Sequence, residues 1–216
     1  MMDSYINELV LFNSAYNLVN TNDREEIAVR HILDSLSAME LIKALADERA
    51  AILSREEVSA CPDNPGQETV TIADIGSGGG LPGIPLAAAL PQLNFVLVER
   101  MSKRCAFLEN AAAILSLRNV QVKNLELEKT PAASFDIATF RAFRPLDNKM
   151  LKSLLAVLKP GGVLAAYKAR RQKILEEMGA LGCAEQDYKI VPLEVPFLTD
   201  TNSGDDRERN LVILQA

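Results

Sequence analysis

The stretch Asp74-Ile75-Gly76-Ser77-Gly78-Gly79-Gly80-Leu81-Pro82-Gly83 decides how this chain folds. Its first two residues end a short apolar run, Val70-Thr71-Ile72-Ala73-Asp74-Ile75, of the kind that fills a strand buried on both faces. Beyond it, Ile84 to Leu90 reads as a helix. A strand that passes through glycines into a helix brings backbone close to a ligand, because no Cβ intrudes. In an open doubly wound sheet, ligands bind at the carboxyl ends of the strands, beside the switch in strand order. The position therefore suits a nucleoside cofactor.

Two acids narrow the choice of cofactor. Gly78-x-Gly80-x-x-Gly83 meets the spacing of a dinucleotide fingerprint, so an oxidoreductase stays open. Asp74, immediately before the turn, would oppose a pyrophosphate but suits the cationic methionine end of S-adenosylmethionine. Glu99, closing the next strand, offers an acceptor for ribose hydroxyls in either case, so Asp74 carries the discrimination. No Lys-Ser or Lys-Thr follows the glycines, which argues against a nucleotide-phosphate loop. The bland alternative is a tight strand–helix junction with no ligand.

Outward from the turn, strands alternate with helices. Phe95 to Glu99 is a second strand and Lys103 to Leu115 a second helix; Val120 to Val122 is a weak third strand and Phe135 to Phe140 a fourth. Leu151 to Leu158 reads as helical, Lys159-Pro160-Gly161-Gly162 as a turn, Val163 to Tyr167 as the fifth strand and Leu211 to Leu214 as a closing strand. This rhythm predicts an α/β fold with a doubly wound, mostly parallel sheet covered on both faces, over residues 69–216. Residues 1–57 are expected to form a small helical extension. It comprises a helix from Tyr5 to Tyr16, a loop from Asn17, a cap at Asp23 and one or two helices from Glu25 to about Ala51. Residues 58–68, with Pro62, Pro65 and Gly66, read as a linker.

Composition bounds the rest. Of 216 residues, 48% are apolar and 24% charged, enough for a substantial core. No apolar run has bilayer length and no secretory signal opens the chain. Three separated cysteines (Cys61, Cys105, Cys183) suggest neither disulfides nor a zinc site, so a reduced, cytoplasmic protein without a metal is expected. The net charge of −6 offers a polyanion nothing, which places weight on where the basic residues sit.

Asp74 to Ala87, with its Leu-Pro-Gly ending, resembles the signature of the RsmG/GidB family of ribosomal RNA guanine-N7 methyltransferases. Further segments agree in order and spacing: Tyr16-Asn17-Leu18, Arg30-His31-Ile32-Leu33-Asp34-Ser35-Leu36, Lys103-Arg104 with Phe107-Leu108, Arg141-Ala142-Phe143, Lys168, and Glu208 to Ile213. The likeness covers nearly the whole chain from about Phe12. It implies a seven-stranded class I S-adenosylmethionine-dependent methyltransferase, Rossmann-like, with strand order 3-2-1-4-5-7-6. The implied substrate is a guanine in 16S ribosomal RNA of the small subunit. A monomer is expected.

Carried over by motif, the resemblance places S-adenosylmethionine at Gly76 and Leu81, with Leu127 and Glu128 beside the adenine and Arg141 nearby. Asp74, Ser77, Gly78 and Glu99 join the cofactor set from their place along the strands. Arg141 and Lys168, at the ends of the fourth and fifth strands, are the candidate catalytic residues; a structural ion pair is the alternative for Arg141. Arg30, His31, Lys168, Arg170, Arg171 and Arg209 are the candidate RNA contacts, with Lys103, Arg104 and Arg144 completing a basic rim on an acidic protein. For His31 a plain helix residue bonded to Asp34 is equally open, and for Lys168 to Lys173 a solvated helix start. A methyltransferase acting on a small molecule is the second functional reading.

Overall fold

The computed structural model describes residues 1–60, 69–141, 146–198 and 208–216. Seven strands form one sheet in the order β3-β2-β1-β4-β5-β7-β6. They are β1 (Thr71–Ile75), β2 (Asn94–Glu99), β3 (Val120–Asn124), β4 (Phe135–Phe140), β5 (Leu158–Lys168), β6 (Tyr188–Leu193) and β7 (Arg209–Gln215). β1 to β5 run parallel and β7 runs antiparallel to both β5 and β6. The strand order reverses at β1, between β2 and β4, which opens a crevice at the carboxyl ends of those strands.

Side-chain alternation divides the core between the two faces. Ala73, Ile75, Ala138, Phe140, Leu164 and Ala166 pack against α7 (Asn148–Ala156) and α8 (Arg171–Ala180), through Met150, Leu154, Ile174 and Met178. Ile72, Phe95, Ile137, Ala165 and Tyr167 face the other way, onto α4 (Met39–Ala60) and α5 (Gly83–Ala89). Leu97 on that same side meets α6 (Ser102–Ile114) and the first helix, α1 (Met2–Tyr16), through Phe107, Leu108, Tyr5 and Leu9. At the amino ends of the strands the fully buried Asp136 accepts from Arg49 of α4 (3.1 Å), Lys159 (3.1 Å) and the Thr71 amide (3.0 Å). The Arg49–Asp136 pair, buried on both sides, ties α4 to the sheet at the end away from the crevice.

Several element boundaries differ from the sequence reading. The linker is expected to begin at 58, yet α4 runs to Ala60; residues 61–68 lie outside the described residues. The stretch from Glu25 is broken into α2 (Arg24–Ile27), a π-helical turn (Ala28–Leu33) and α3 (Asp34–Leu36) before α4. Asp23 caps α2 as expected, its side chain accepting from the Glu26 amide at 2.7 Å. Lys159 to Gly162 belong to β5 and are not a separate turn; the pairing with β4 slips there, between Phe135 and Ile137. The resemblance implies β6 through its strand order, but the residue reading gives it no range. Pro192 and the exposed alternation of an edge strand hide it, since its pairing to β7 is a tertiary fact.

Candidate active site at the carboxyl edge of the sheet

The glycine turn is held by β2 and by α1. From β2, the Val98 carbonyl accepts the amides of Gly76 (2.8 Å) and Ser77 (3.2 Å). Glu99, buried at the end of that strand, accepts from the amides of Gly78 (2.9 Å) and Met101 (2.8 Å). From α1, the buried Tyr5 hydroxyl donates to the Gly79 carbonyl. Gly80 has φ +86°, and a Cβ there would lie 2.6 Å from Ile84 Cγ1 and 2.9 Å from the Tyr5 oxygen. Glycine is required by conformation and by space alike.

Asp74 lies beneath this turn, 1% exposed. Its Oδ2 accepts from the Gly83 amide at 3.0 Å, while Oδ1 is buried with no hydrogen-bond partner. Burial, reinforced by Glu99, outweighs the Gly83 bond and raises its pKa to about 7. A buried acceptor left without a donor, beside exposed Gly76 and half-buried Gly78, fits a ligand that brings an ammonium group. Ser77 is buried, its hydroxyl donating to the Asp74 carbonyl at 2.8 Å. Leu81 is buried in the core shared with α6. Leu127 and the exposed Glu128 form a short 3-10 turn (Leu127–Lys129) just past β3, one strand out from Glu99.

A second cluster occupies the ends of β4 and β5. Arg141 follows β4 and donates through Nη1 to Asp34 Oδ2 (2.7 Å) and the Arg30 carbonyl (3.0 Å), and through Nη2 to His31 Nδ1 (2.9 Å). That last bond leaves the imidazole proton on Nε2, 3.2 Å from Asn20 Oδ1. Burial, with Arg141 and Arg30 nearby, lowers the His31 pKa to about 4, so the ring is neutral at pH 7. His31 is thus bonded to Arg141 and Asn20, and the expected bond to Asp34 is not made. Asp34 instead receives Arg141, and Arg209 Nε approaches its other oxygen to 3.2 Å.

Lys168, ending β5, is paired with Glu177 of α8 at 2.8 Å and stands 5.5 Å above the Phe140 ring. Lys168, His31, Asp34, Arg141, Arg209, Tyr167 and Leu193 border a cavity of about 310 Å³. Four sequence candidates (His31, Arg141, Lys168 and Arg209) meet there, and Arg30 joins through its carbonyl. The π-helical turn explains the convergence. One wide turn sets the Arg30 carbonyl, His31 and Asp34 against a single guanidinium.

The remaining basic candidates are dispersed. Arg170 and Arg171 open α8, where the Arg171 amide donates to Glu208 (2.9 Å). Arg104 turns inward to the carbonyls of Asn17 (2.8 Å) and Tyr16 (3.4 Å), so it braces the 17–23 loop and does not join a rim. Arg144 lies outside the described residues, as do residues 199–207. Sequence reasoning missed Asp34 as a site residue, together with Asn20, Tyr5 and Tyr167. For Asp34 the signals were its spacing from His31 within one helical turn and its place in the Arg30 to Leu36 motif.

The crevice at the strand switch, the glycine cradle and the acids ending β1 and β2 define a doubly wound methyltransferase. Solved structures share that fold. A predicted O-methyltransferase from Agrobacterium tumefaciens matches with TM-score 0.51 and 23% identity, over 68% of this chain and 74% of its own. The CurJ carbon methyltransferase matches with TM-score 0.52 and 13% identity, over 99% and 67%.

The chain belongs to the rRNA small subunit methyltransferase G (GidB) family, whose model matches residues 1–53 and 57–211. A Treponema denticola protein named ribosomal RNA small subunit methyltransferase G is 40% identical, over 100% of this chain and 85% of its own. A Neisseria gonorrhoeae protein of the same name is 32% identical, over 98% and 86%.

Proposed function

We propose that the protein transfers a methyl group from S-adenosylmethionine to N7 of a guanine in 16S ribosomal RNA of the small subunit, in the cytoplasm, as a monomer and without a metal. The observation that carries this reading is the adjacency of two built sites. A cradle with an unspent buried carboxylate oxygen lies at β1, and a cluster of arginines, histidine and lysine rims a cavity at β4 and β5. Among the described residues no helix is long and apolar enough to cross a membrane.

Asp74 and Glu99 would hold the cofactor, with Gly76, Ser77, Gly78 and Leu81 along the turn and Leu127 and Glu128 beside the adenine. The bound cofactor supplies an electrophilic methyl on a sulfonium. Guanine N7 exposes a lone pair in the neutral base, so no general base has to remove a proton before attack. The chain's task is alignment, and rigid groups serve it best. Arg141 has three partners that fix its guanidinium, and Lys168 is fixed by Glu177. Neutral His31 serves as a positioning partner of Arg141 and not as an acid. Arg30, Arg170, Arg171 and Arg209 supply positive charge for the RNA backbone near the same edge.

Small subunits from cells lacking the modification, incubated with the protein and methyl-labelled S-adenosylmethionine, test this reading. Label in the RNA supports it. Label only in a metabolite extract would move the protein to small-molecule chemistry on the same fold.

A further inference from the structure

Asp34 is an acid in a place built of cations. Arg141 and Arg209 pair with it, Lys168 lines the same cavity, and the residue is 6% exposed. A site meant only for phosphate gains nothing from a carboxylate. The role of Arg141's anchor accounts for one oxygen, Oδ2. The other, Oδ1, is buried and accepts no hydrogen bond; Arg209 Nε covers it at 3.2 Å as an ion-pair contact only. Arg141 Nε on the same pair is likewise buried and donates to nothing. An unspent acceptor and an unspent donor thus belong to one buried ion pair. Both residues line a cavity whose volume, about 310 Å³, falls at the small end of ligand pockets.

We infer that Asp34 reads the Watson–Crick edge of the target base, accepting from N1–H and the N2 amino group of guanine in the place Arg209 covers. The inference rests on the proposed RNA guanine reading and names the residue that selects the base. A carboxylate only accepts, and guanine sets two donors side by side on that edge; adenine and cytosine present a ring acceptor there instead. Enzymes that act on a flipped base commonly read it by that edge. Gripping N1 and N2 leaves N7, on the far side of the purine, free for the methyl group. Methylation at N7 also places positive charge on the base and makes N1–H a stronger donor, so the bond to Asp34 tightens as the reaction proceeds. Arg209 keeps a hold on the Glu208 carbonyl through Nη1 (3.0 Å), an anchor from which its Nε could yield.

The test replaces the target guanine by inosine, which lacks only the N2 amino group, in reconstituted small subunits. Wild-type protein is expected to show kcat/KM lower by about tenfold or more on inosine, since one acceptor site goes unmet. In Asp34→Asn, guanine methylation should fall at least tenfold while the guanine-to-inosine ratio collapses towards one. S-adenosylhomocysteine binding, which a merely structural defect would disturb, should stay within about twofold. Equal rates on guanine and inosine with wild-type protein would overturn the inference even if Asp34→Asn failed to fold. A ratio unchanged in a folded Asp34→Asn would overturn it too. Label on neither base would overturn this inference and the proposed function together, whereas equal label removes only the former.

Discussion

At the end of β1 the Asp74 carboxyl keeps one oxygen unbonded, and burial holds its pKa near 7, against 3.8 in water. A cationic amino group brought to that oxygen favours the ionised form, so binding must release a proton. Affinity for S-adenosylhomocysteine should therefore rise about tenfold or more between pH 5.5 and 7.5, and the rise should vanish in Asp74→Asn. Calorimetry in buffers of different ionisation enthalpy reads the proton directly. The sign for stability is opposite. The folded pKa exceeds the unfolded one, so the contribution of Asp74 to the ligand-free protein is complete below about pH 4 and is lost as pH rises through 7. The Arg141–Asp34 pair gives a second prediction. Both side chains are about nine-tenths buried, so Arg141→Ala should lower stability to urea by about 3 kcal/mol as well as abolish methyl transfer. Arg141→Lys should not rescue, because an ammonium cannot reproduce the fork to Asp34 and His31. Arg141, His31, Lys168 and Arg209 were all legible in the sequence as basic or polar residues at motif positions or strand ends. Tyr5 and Asp34 were not, because a buried tyrosine looks like core and a helical aspartate looks like surface until tertiary partners are known.

Between elements, the amino-terminal helix is joined to the glycine turn. Tyr5 of α1 bonds the Gly79 carbonyl, and a Cβ on Gly79 would lie 3.2 Å from the Leu18 carbonyl oxygen, so α1 and the following loop form one wall of the turn. Tyr5→Phe should cost about 1–2 kcal/mol of stability and weaken S-adenosylhomocysteine binding, measured by urea unfolding and calorimetry. Gly83 tests the same wall from inside: a Cβ there would sit 2.4 Å from Leu97 Cδ2 and 2.7 Å from Asp74 Oδ2. Gly83→Ala should therefore lower stability by about 2–3 kcal/mol and disturb the Asp74 carboxylate; unchanged pH dependence of binding in this variant would contradict that link. Five parallel strands and their helices were readable because buried β-branched runs and glycine turns are local signals. The π-helical turn was not, since its wide spacing differs little from an ordinary helix in sequence. β6 was not, since an edge strand half open to solvent shows no buried run.

Across the whole molecule, charge is the feature that sequence alone leaves unresolved. A net charge of −6 argues against a polyanion, yet Arg30, Arg141, Lys168 and Arg209 gather on one edge with Arg170 and Arg171 at the start of α8. Much of that charge is internally paired, with Glu177 and Asp34 as partners, so RNA affinity should be modest and its salt dependence shallower than the count of basic residues implies. Reversing Arg170 and Arg171 to Glu should weaken subunit binding and flatten the slope of log K against log salt, while S-adenosylhomocysteine binding is retained. Filter binding at several salt concentrations measures this. The most direct test of the account is to map the methyl group itself. Subunits labelled by the protein are digested with nuclease and the modified nucleoside is located by mass spectrometry. The account predicts a single 7-methylguanine in 16S ribosomal RNA; label on another atom or another base, or tight S-adenosylhomocysteine binding with no label at all, would contradict it.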